Sequence, residues 1–124
     1  MFRTLLVEDN RPFRQSLNET LELQFPFMEI IETGDGREVL EKVDDLRPDL
    51  IFMDIGLPGE NGLTLTKRIK TDWPKTIIII LTSHDLPEYR EAASRLGADY
   101  FISKSLSTRK EILAIVETIL SGKE

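Results

Sequence analysis

The chain contains no cysteine and a single histidine, His84, among its 124 residues. The missing cysteines exclude disulfide bonds and thiolate metal centres within the chain, and one histidine cannot form a zinc site that needs several. Long apolar runs are missing too: the longest covers residues 77–81, whereas about 20 apolar residues are needed to cross a bilayer. The first residues lack a signal-peptide pattern, so we expect a soluble, cytoplasmic protein that does not enter membranes.

Basic residues are scarce relative to acids. Lys and Arg number 16 against 22 Asp and Glu, which gives a net charge of −6. Because an acidic chain repels the phosphate backbone, we do not expect direct nucleic-acid binding by this chain. Apolar residues make up 40% and charged residues 31%, a balance typical of folded and not of disordered chains. We predict a single domain over residues 1–124.

Short, wholly apolar runs alternate with amphipathic stretches of about a dozen residues. The predicted strands lie at residues 5–7, 28–32, 50–53, 77–81 and 100–102. Strands that are apolar on both faces are typical of the centre of a parallel sheet covered by helices on each side. The half-alternating run at residues 28–32 suits a position nearer an edge. The pattern predicts an α/β fold, a doubly wound five-stranded parallel sheet with helices on both faces.

Five helices are predicted between and after these strands. The first begins after residues 9–10, with Pro12 tolerated in its first turn. The second follows the glycine-rich residues 34–36 and ends before Pro48, because a residue that precedes proline disfavours helix. The third covers about residues 61–72.

The last two helices are predicted from capping signals. Asp85 with Glu88 three residues later resembles a capping box, and Gly97 would end that fourth helix. Thr108 with Glu111 forms a second such pattern at the start of the fifth helix. The polar tail, residues 121–124, is expected to fray or to begin a linker.

The fifth helix carries more apolar residues than one buried face requires, since Leu113 and Ile115 add to its regular stripe. Two interpretations are open. A wide core-facing stripe is the more common one, and a partner-binding surface is the other.

Polar side chains follow four of the predicted strands. Glu8 and Asp9 follow the first, Asp54 the third, Thr82 the fourth and Lys104 the fifth. The carboxyl ends of parallel strands meet at one edge of the sheet, so we expect these groups to converge there. Three carboxylates at one edge repel each other and favour a cation, and oxygen ligands alone favour Mg²⁺. Taken singly, each residue also has an ordinary role, such as capping a helix or lying solvated on the surface.

Four motifs in the same order and at these spacings resemble the receiver domain of bacterial two-component response regulators. They are Val-Glu-Asp at residues 7–9, Met-Asp-Ile-Gly-Leu-Pro at 53–58 with Gly62, Thr82 after an apolar strand, and Gly-Ala-Asp-Tyr-Phe-Ile-Ser-Lys at 97–104. The resemblance extends from Leu5 to about Leu120. It implies that residues 1–124 form one receiver domain, with the flavodoxin-like strand order 2-1-3-4-5 and of the subgroup that usually carries a helix-turn-helix output domain.

The resemblance implies a role for each matching residue. Asp54 matches the aspartate that accepts a phosphoryl group. Glu8 and Asp9 match the acidic pair that holds Mg²⁺, and the backbone carbonyl of Gly56, together with Asp54 itself, completes the protein ligands.

The other matches concern the phosphoryl group and the response to it. Thr82 matches the hydroxyl that bonds one phosphoryl oxygen, and Lys104 matches the lysine that pairs with another. Phe101 matches the aromatic switch position. The implied partner is a sensor histidine kinase or a phosphotransfer protein. A homodimer could form through the face made by the fourth helix, the fifth strand and the fifth helix.

The chain departs from the family pattern at Ser105 and Ser83, and Gly56 leaves its position without a side chain to shape water access. Ser105 stands where the family commonly has a proline in a cis bond, which leaves the geometry of that bond unpredicted. Ser83 stands where alanine or glycine is common. His84 lies two residues after Thr82, where a plain loop residue is favoured over a role in tuning hydrolysis.

The sequence favours a phosphorylation-controlled signalling switch, which is not an enzyme beyond assisting its own phosphorylation and dephosphorylation. One alternative is an unphosphorylated interaction module on the same fold, and the intact set of site residues argues against it. A flavin-nucleotide binder would present a phosphate-cradling loop after the first strand, where this chain has acids. A Toprim-like metal nuclease would have an aspartate at position 56, where this chain has Gly56.

Overall fold

A computed structural model describes residues 1–122. Five parallel strands form one sheet in the order β2-β1-β3-β4-β5, which confirms the predicted fold class. The strands are β1 (Arg3–Val7), β2 (Glu29–Thr33), β3 (Leu50–Met53), β4 (Ile77–Thr82) and β5 (Tyr100–Ser103). The helices are α1 (Arg11–Gln24), α2 (Val39–Leu46) after a 3-10 turn at Gly36–Glu38, α3 (Gly62–Asp72), α4 (Pro87–Arg95) and α5 (Arg109–Gly122).

The sheet separates two apolar clusters. Alternate residues of each central strand face opposite sides, so Leu6 packs with residues of α1 and α5, and its neighbour Leu5 packs with residues of α2, α3 and α4. This two-sided burial explains why the central strands are apolar throughout. Leu113 and Ile115 of α5 are half-buried and pack against the first cluster, which favours the interpretation of a wide core stripe.

Three helices begin at capping residues. The Asn10 side chain accepts a hydrogen bond from the backbone N–H of Phe13, and Asn61 caps α3 in the same way. The Thr108 hydroxyl accepts from the Glu111 N–H, and the Glu111 carboxylate accepts from the Thr108 N–H. The predicted capping box of α5 is thereby confirmed. Residues 121–122 complete α5, and the other two residues of the predicted tail lie outside the described residues.

The predicted start of the fourth helix is wrong. Leu86 is the N-cap of α4 and no side chain caps it; Pro87, which has no N–H to satisfy, takes the first helical position. The Asp85 carboxylate is occupied elsewhere, since it accepts hydrogen bonds from the hydroxyls of Ser103 at 2.7 Å and Ser105 at 3.2 Å. The hydrogen bond from Ser103 lowers the pKa of Asp85, and the bond from Ser105 lowers it by a smaller amount.

No helix within residues 1–122 combines the length and the apolar character needed to cross a membrane. Every peptide bond within this range is trans, including the bond between Lys104 and Ser105 that the sequence left unpredicted.

Thr4 of β1 is fully buried and its hydroxyl has no hydrogen-bond partner within the described residues. We expect Thr4→Val, which keeps the shape and removes the unsatisfied group, to raise the free energy of unfolding by about 1 kcal/mol. Thr66→Val is the matched control. Thr66 is equally buried, but its hydroxyl donates to the Gly62 carbonyl at 2.8 Å, so this variant should lose stability. Urea titrations of both variants measure the two effects, and equal shifts of the same sign would contradict the assignment.

Candidate functional site

Neighbouring strand ends bring the predicted polar residues together. Glu8 follows β1, Asp54 follows β3, Thr82 ends β4 and Lys104 follows β5. These four strands are adjacent and parallel, so their carboxyl ends form one edge of the sheet. The backbone continues this alignment beyond the strands, since the Asp54 N–H donates to the Val7 carbonyl at 3.0 Å.

Three carboxylates form the centre of the site. Glu8, Asp9 and Asp54 each place one oxygen within 4.8 Å of the others. Glu8 is 4% exposed and Asp54 6% exposed, whereas Asp9 faces solvent. Burial is the main influence on Glu8 and raises the pKa of its carboxyl group. A pocket of hard oxygen donors that is open on one side suits Mg²⁺, which keeps part of its water shell.

Lys104 provides the balancing positive charge. Its Nζ lies 2.6 Å from Oε1 of Glu8 and 3.2 Å from Oδ2 of Asp54. Burial opposes the charged form of this side chain, but the hydrogen bond to Glu8 and the negative charge of Asp54 outweigh it and raise the pKa of Lys104. The ammonium also lies 4.4 Å from the ring centre of Phe13, within the range of a cation–π contact. Lys104 therefore stays protonated at neutral pH.

Thr82 contacts the other oxygen of Asp54. Its hydroxyl donates to Oδ1 at 2.6 Å, so both oxygens of the carboxylate are engaged. The same hydroxyl lies 3.3 Å from Nδ1 of His84 and accepts from the His84 N–H at 3.2 Å. The His84 ring stacks edge-on against Tyr89 at 5.7 Å. His84 is thus in contact with a site residue, although it is exposed on the loop.

Gly62 explains one part of the motif around Asp54. It begins α3 directly beside the strand end, and a Cβ at this position would lie 2.0 Å from the Asp54 carbonyl oxygen. Only glycine lets the helix approach the backbone of Asp54 this closely. Gly56 lies in the exposed turn between β3 and α3, where a Cβ would come within 2.8 Å of the His84 ring.

Phe101 is half-buried on β5 and faces α4. The guanidinium carbon of Arg90 lies 4.6 Å from the ring centre of Phe101, and Nη1 of Arg90 donates to the Phe101 carbonyl at 3.4 Å. The ring therefore packs against the apolar cluster on this side of the sheet and is partly covered by the exposed Arg90.

Two residues that contact the site were not assigned to it from the sequence. Phe13 stands at helical spacing from Leu17 and Leu21, so the sequence pattern predicts a core position for it, and no motif assigns a role to Arg14. Both lie in the first turns of a helix that begins three residues after Glu8. This short connection is the signal that could have placed them beside the pocket.

Comparison with known proteins identifies response regulators as relatives of this chain. A family profile described as the response regulator receiver domain matches residues 4–117. The oxygen regulatory protein NreC of Staphylococcus haemolyticus is 32% identical over 122 residues, which are 98% of this chain and 56% of the relative. The chain therefore spans about half the length of the curated relatives it matches.

Solved structures of response regulators have the same fold as this chain. A two-component response regulator of the LuxR family from Aurantimonas is 28% identical with a TM-score of 0.87, and 98% of this chain and 86% of that chain are covered. The activated receiver domain of RstA from Klebsiella pneumoniae is 26% identical with a TM-score of 0.82 over 94% and 96% of the two chains. This chain belongs to the receiver-domain family of two-component response regulators.

Proposed function

We propose that Asp54 accepts a phosphoryl group from a phosphohistidine of a sensor histidine kinase or phosphotransfer protein, and that the chain is a switch controlled by this modification. The observation that carries the proposal is the environment of the Asp54 carboxylate. Thr82 contacts one oxygen, Lys104 contacts the other, and two further carboxylates lie within 4.8 Å. Phosphorylation with a small-molecule donor, followed by intact mass, tests it.

The transfer needs little covalent chemistry from the protein. One Asp54 oxygen forms a bond to phosphorus while the bond between phosphorus and the donor imidazole nitrogen breaks, and its electron pair remains on the imidazole. Both reactants are anionic, so the main task is to neutralise charge and to hold the groups in line. Lys104 already lies beside one of the two Asp54 oxygens and supplies one positive charge.

The acidic cluster fits a divalent cation. Glu8, Asp9, Asp54 and the backbone carbonyl of Gly56 would hold Mg²⁺, which when bound supplies the remaining charge neutralisation. After transfer, the Thr82 hydroxyl and the Lys104 ammonium would bond two phosphoryl oxygens. The acyl phosphate is then lost by slow hydrolysis, which limits the duration of the signal.

The output of the switch is a further part of the proposal. A change of the face made by α4, β5 and α5 would alter binding to a partner or to a second copy of this chain. The similarity to NreC, a regulatory protein of which this chain spans 56%, and to a response regulator of the LuxR family favours an output in transcription through a partner or a further domain. We expect the switch to act in the cytoplasm.

Magnesium should stabilise the fold, because three carboxylates share a single ammonium, that of Lys104, and a divalent cation would balance the remaining negative charge. At concentrations of 10 to 100 times the dissociation constant, we expect a gain of about 1.4–2.7 kcal/mol, since only the native state binds. Melting followed by circular dichroism should rise by several degrees. Asp9→Ala should abolish this rise, whereas Asp45→Ala, which removes an equal charge from the exposed side of α2, should preserve it. A melting temperature unaffected by millimolar Mg²⁺ would contradict the metal site.

A further inference from the structure

Arg14 of α1 lies directly behind the carboxylate pocket. Its Nη1 donates to the backbone carbonyl of Glu8 at 2.5 Å, and its Nε donates to Oε1 of Glu32 at 2.7 Å. The side chain is 17% exposed. This arginine therefore joins α1, the end of β1 and strand β2 at one point.

The surroundings of Arg14 hold it in this position. The second carboxylate oxygen of Glu32 accepts a hydrogen bond from Nδ2 of Asn18, one turn further along α1. Gly34, just after β2, leaves the necessary room: a Cβ there would lie 2.7 Å from Nη1 of Arg14 and 3.3 Å from the Glu8 carbonyl oxygen. The arginine, its carboxylate partner and the glycine form one fitted arrangement, which is more than an ordinary surface ion pair provides.

With Arg14, every polar atom of Glu8 has a hydrogen-bond or ion-pair partner. The Glu8 N–H donates to the Thr33 carbonyl at 3.0 Å, and Oε2 accepts from the Asn10 N–H at 2.9 Å, while Lys104 holds Oε1. The remaining polar atom is the carbonyl oxygen, and Arg14 bonds it. That carbonyl belongs to the peptide group that joins Glu8 to Asp9. The orientation of this peptide group determines the position of the Asp9 Cα, from which the exposed side chain extends.

We infer that Arg14 is a positioning residue for the metal-binding edge of the pocket, and that it raises Mg²⁺ affinity by fixing the peptide between Glu8 and Asp9. The inference rests on the proposed function, in which these two residues hold Mg²⁺. Groups that orient the ligands of a metal commonly change its affinity by about 10- to 100-fold when removed.

The direction of the effect separates positioning from simple electrostatics. A guanidinium beside the pocket repels a divalent cation, so loss of its charge alone would tighten Mg²⁺ binding. Loss of the positioning contact would weaken it. The two explanations therefore predict opposite signs for Arg14→Gln.

The test is Mg²⁺ titration of the unphosphorylated protein by isothermal calorimetry, well below the melting temperature of each variant. We expect Arg14→Gln to bind about tenfold more weakly than the natural chain. Arg14→Lys, which keeps the charge and one donor nitrogen, should recover part of the loss. Gly34→Ala keeps every charge but crowds both the guanidinium and the Glu8 carbonyl oxygen that it bonds, so it should also bind more weakly. Arg68→Gln is the control, because it removes an exposed arginine from an ion pair on α3.

Affinity in Arg14→Gln that equals or exceeds that of the natural chain would overturn the inference and leave the metal site intact. A natural chain that binds no Mg²⁺ would overturn both this inference and the metal part of the proposed function. If Arg14→Gln does not fold, Arg14→Lys and Gly34→Ala decide the question, and unchanged affinity in both would reject the positioning role.

Discussion

Acetyl phosphate with Mg²⁺ should add a single phosphoryl group to this protein, on Asp54 alone. The Asp54 carboxylate is 6% exposed, and its two oxygens are held by the Thr82 hydroxyl at 2.6 Å and the Lys104 ammonium at 3.2 Å. The hydroxyl and the ammonium are in place before acetyl phosphate binds, so little reorganisation is needed at the moment of transfer. Intact mass spectrometry reports the adduct directly, and Asp54→Asn should eliminate it.

Matched variants make this test specific. Asp85→Asn is the control for Asp54→Asn, because Asp85 lies at the same edge of the sheet but is bonded to Ser103 and Ser105. This variant should keep the adduct. Lys104→Met should slow formation by roughly 100-fold or more, the scale seen when one preorganised charge-stabilising donor is removed. An adduct that survives in Asp54→Asn, or that forms fully in excess chelator, would reject the assignment.

The fold was predictable because its hydrophobic pattern reflects a simple physical constraint. The central strands are covered on both faces, so the runs at residues 50–53 and 77–81 contain no polar residue. The run at residues 28–32 alternates, and β2 is an edge strand with Glu29 exposed. The convergence of Glu8, Asp54 and Lys104 followed from strand adjacency alone.

Side-chain partners that depend on helix placement were not predictable in the same way. The contact between Arg14 and Glu32 joins α1 to an edge strand, and it depends on how the helix lies over the sheet. Asp85 shows that two partners can compete for one side chain. Aspartate commonly caps helices, but here its carboxylate accepts hydrogen bonds from Ser103 of β5 and Ser105 of the following loop. Helix α4 therefore begins at Leu86 and Pro87 without a side-chain cap. A local motif cannot show which partner prevails when the competing partner lies 18 residues away.

The switch itself is expected to run from Thr82 to Phe101. In the described structure the Thr82 hydroxyl bonds Oδ1 of Asp54, and the half-buried ring of Phe101 has its centre 4.6 Å from the guanidinium carbon of Arg90. A phosphoryl group on Asp54 offers stronger acceptors, so we expect the Thr82 hydroxyl to move toward it and to vacate space beside β5 into which Phe101 can turn. An inward turn of Phe101 would break the contact with Arg90, which costs about 0.5–1 kcal/mol at an exposed site. Burial of the ring offsets this cost.

Phenylalanine has no hydroxyl with which to hold an inward position, so the switch rests on packing and its two states should differ little in free energy. Beryllofluoride, a stable mimic of the phosphoryl group, should therefore shift NMR resonances across residues 85–120, which include α4, β5 and most of α5. Thr82→Ala should remove most of these shifts, while Ser83→Ala, which deletes an exposed hydroxyl next to it, should retain them. A second experiment addresses the partner. Sedimentation with and without the mimic measures whether a second copy of the chain binds the altered face. Identical resonances with and without the mimic would refute the switch even if Asp54 accepts the phosphoryl group, and shifts that persist in Thr82→Ala would show that the coupling takes another route.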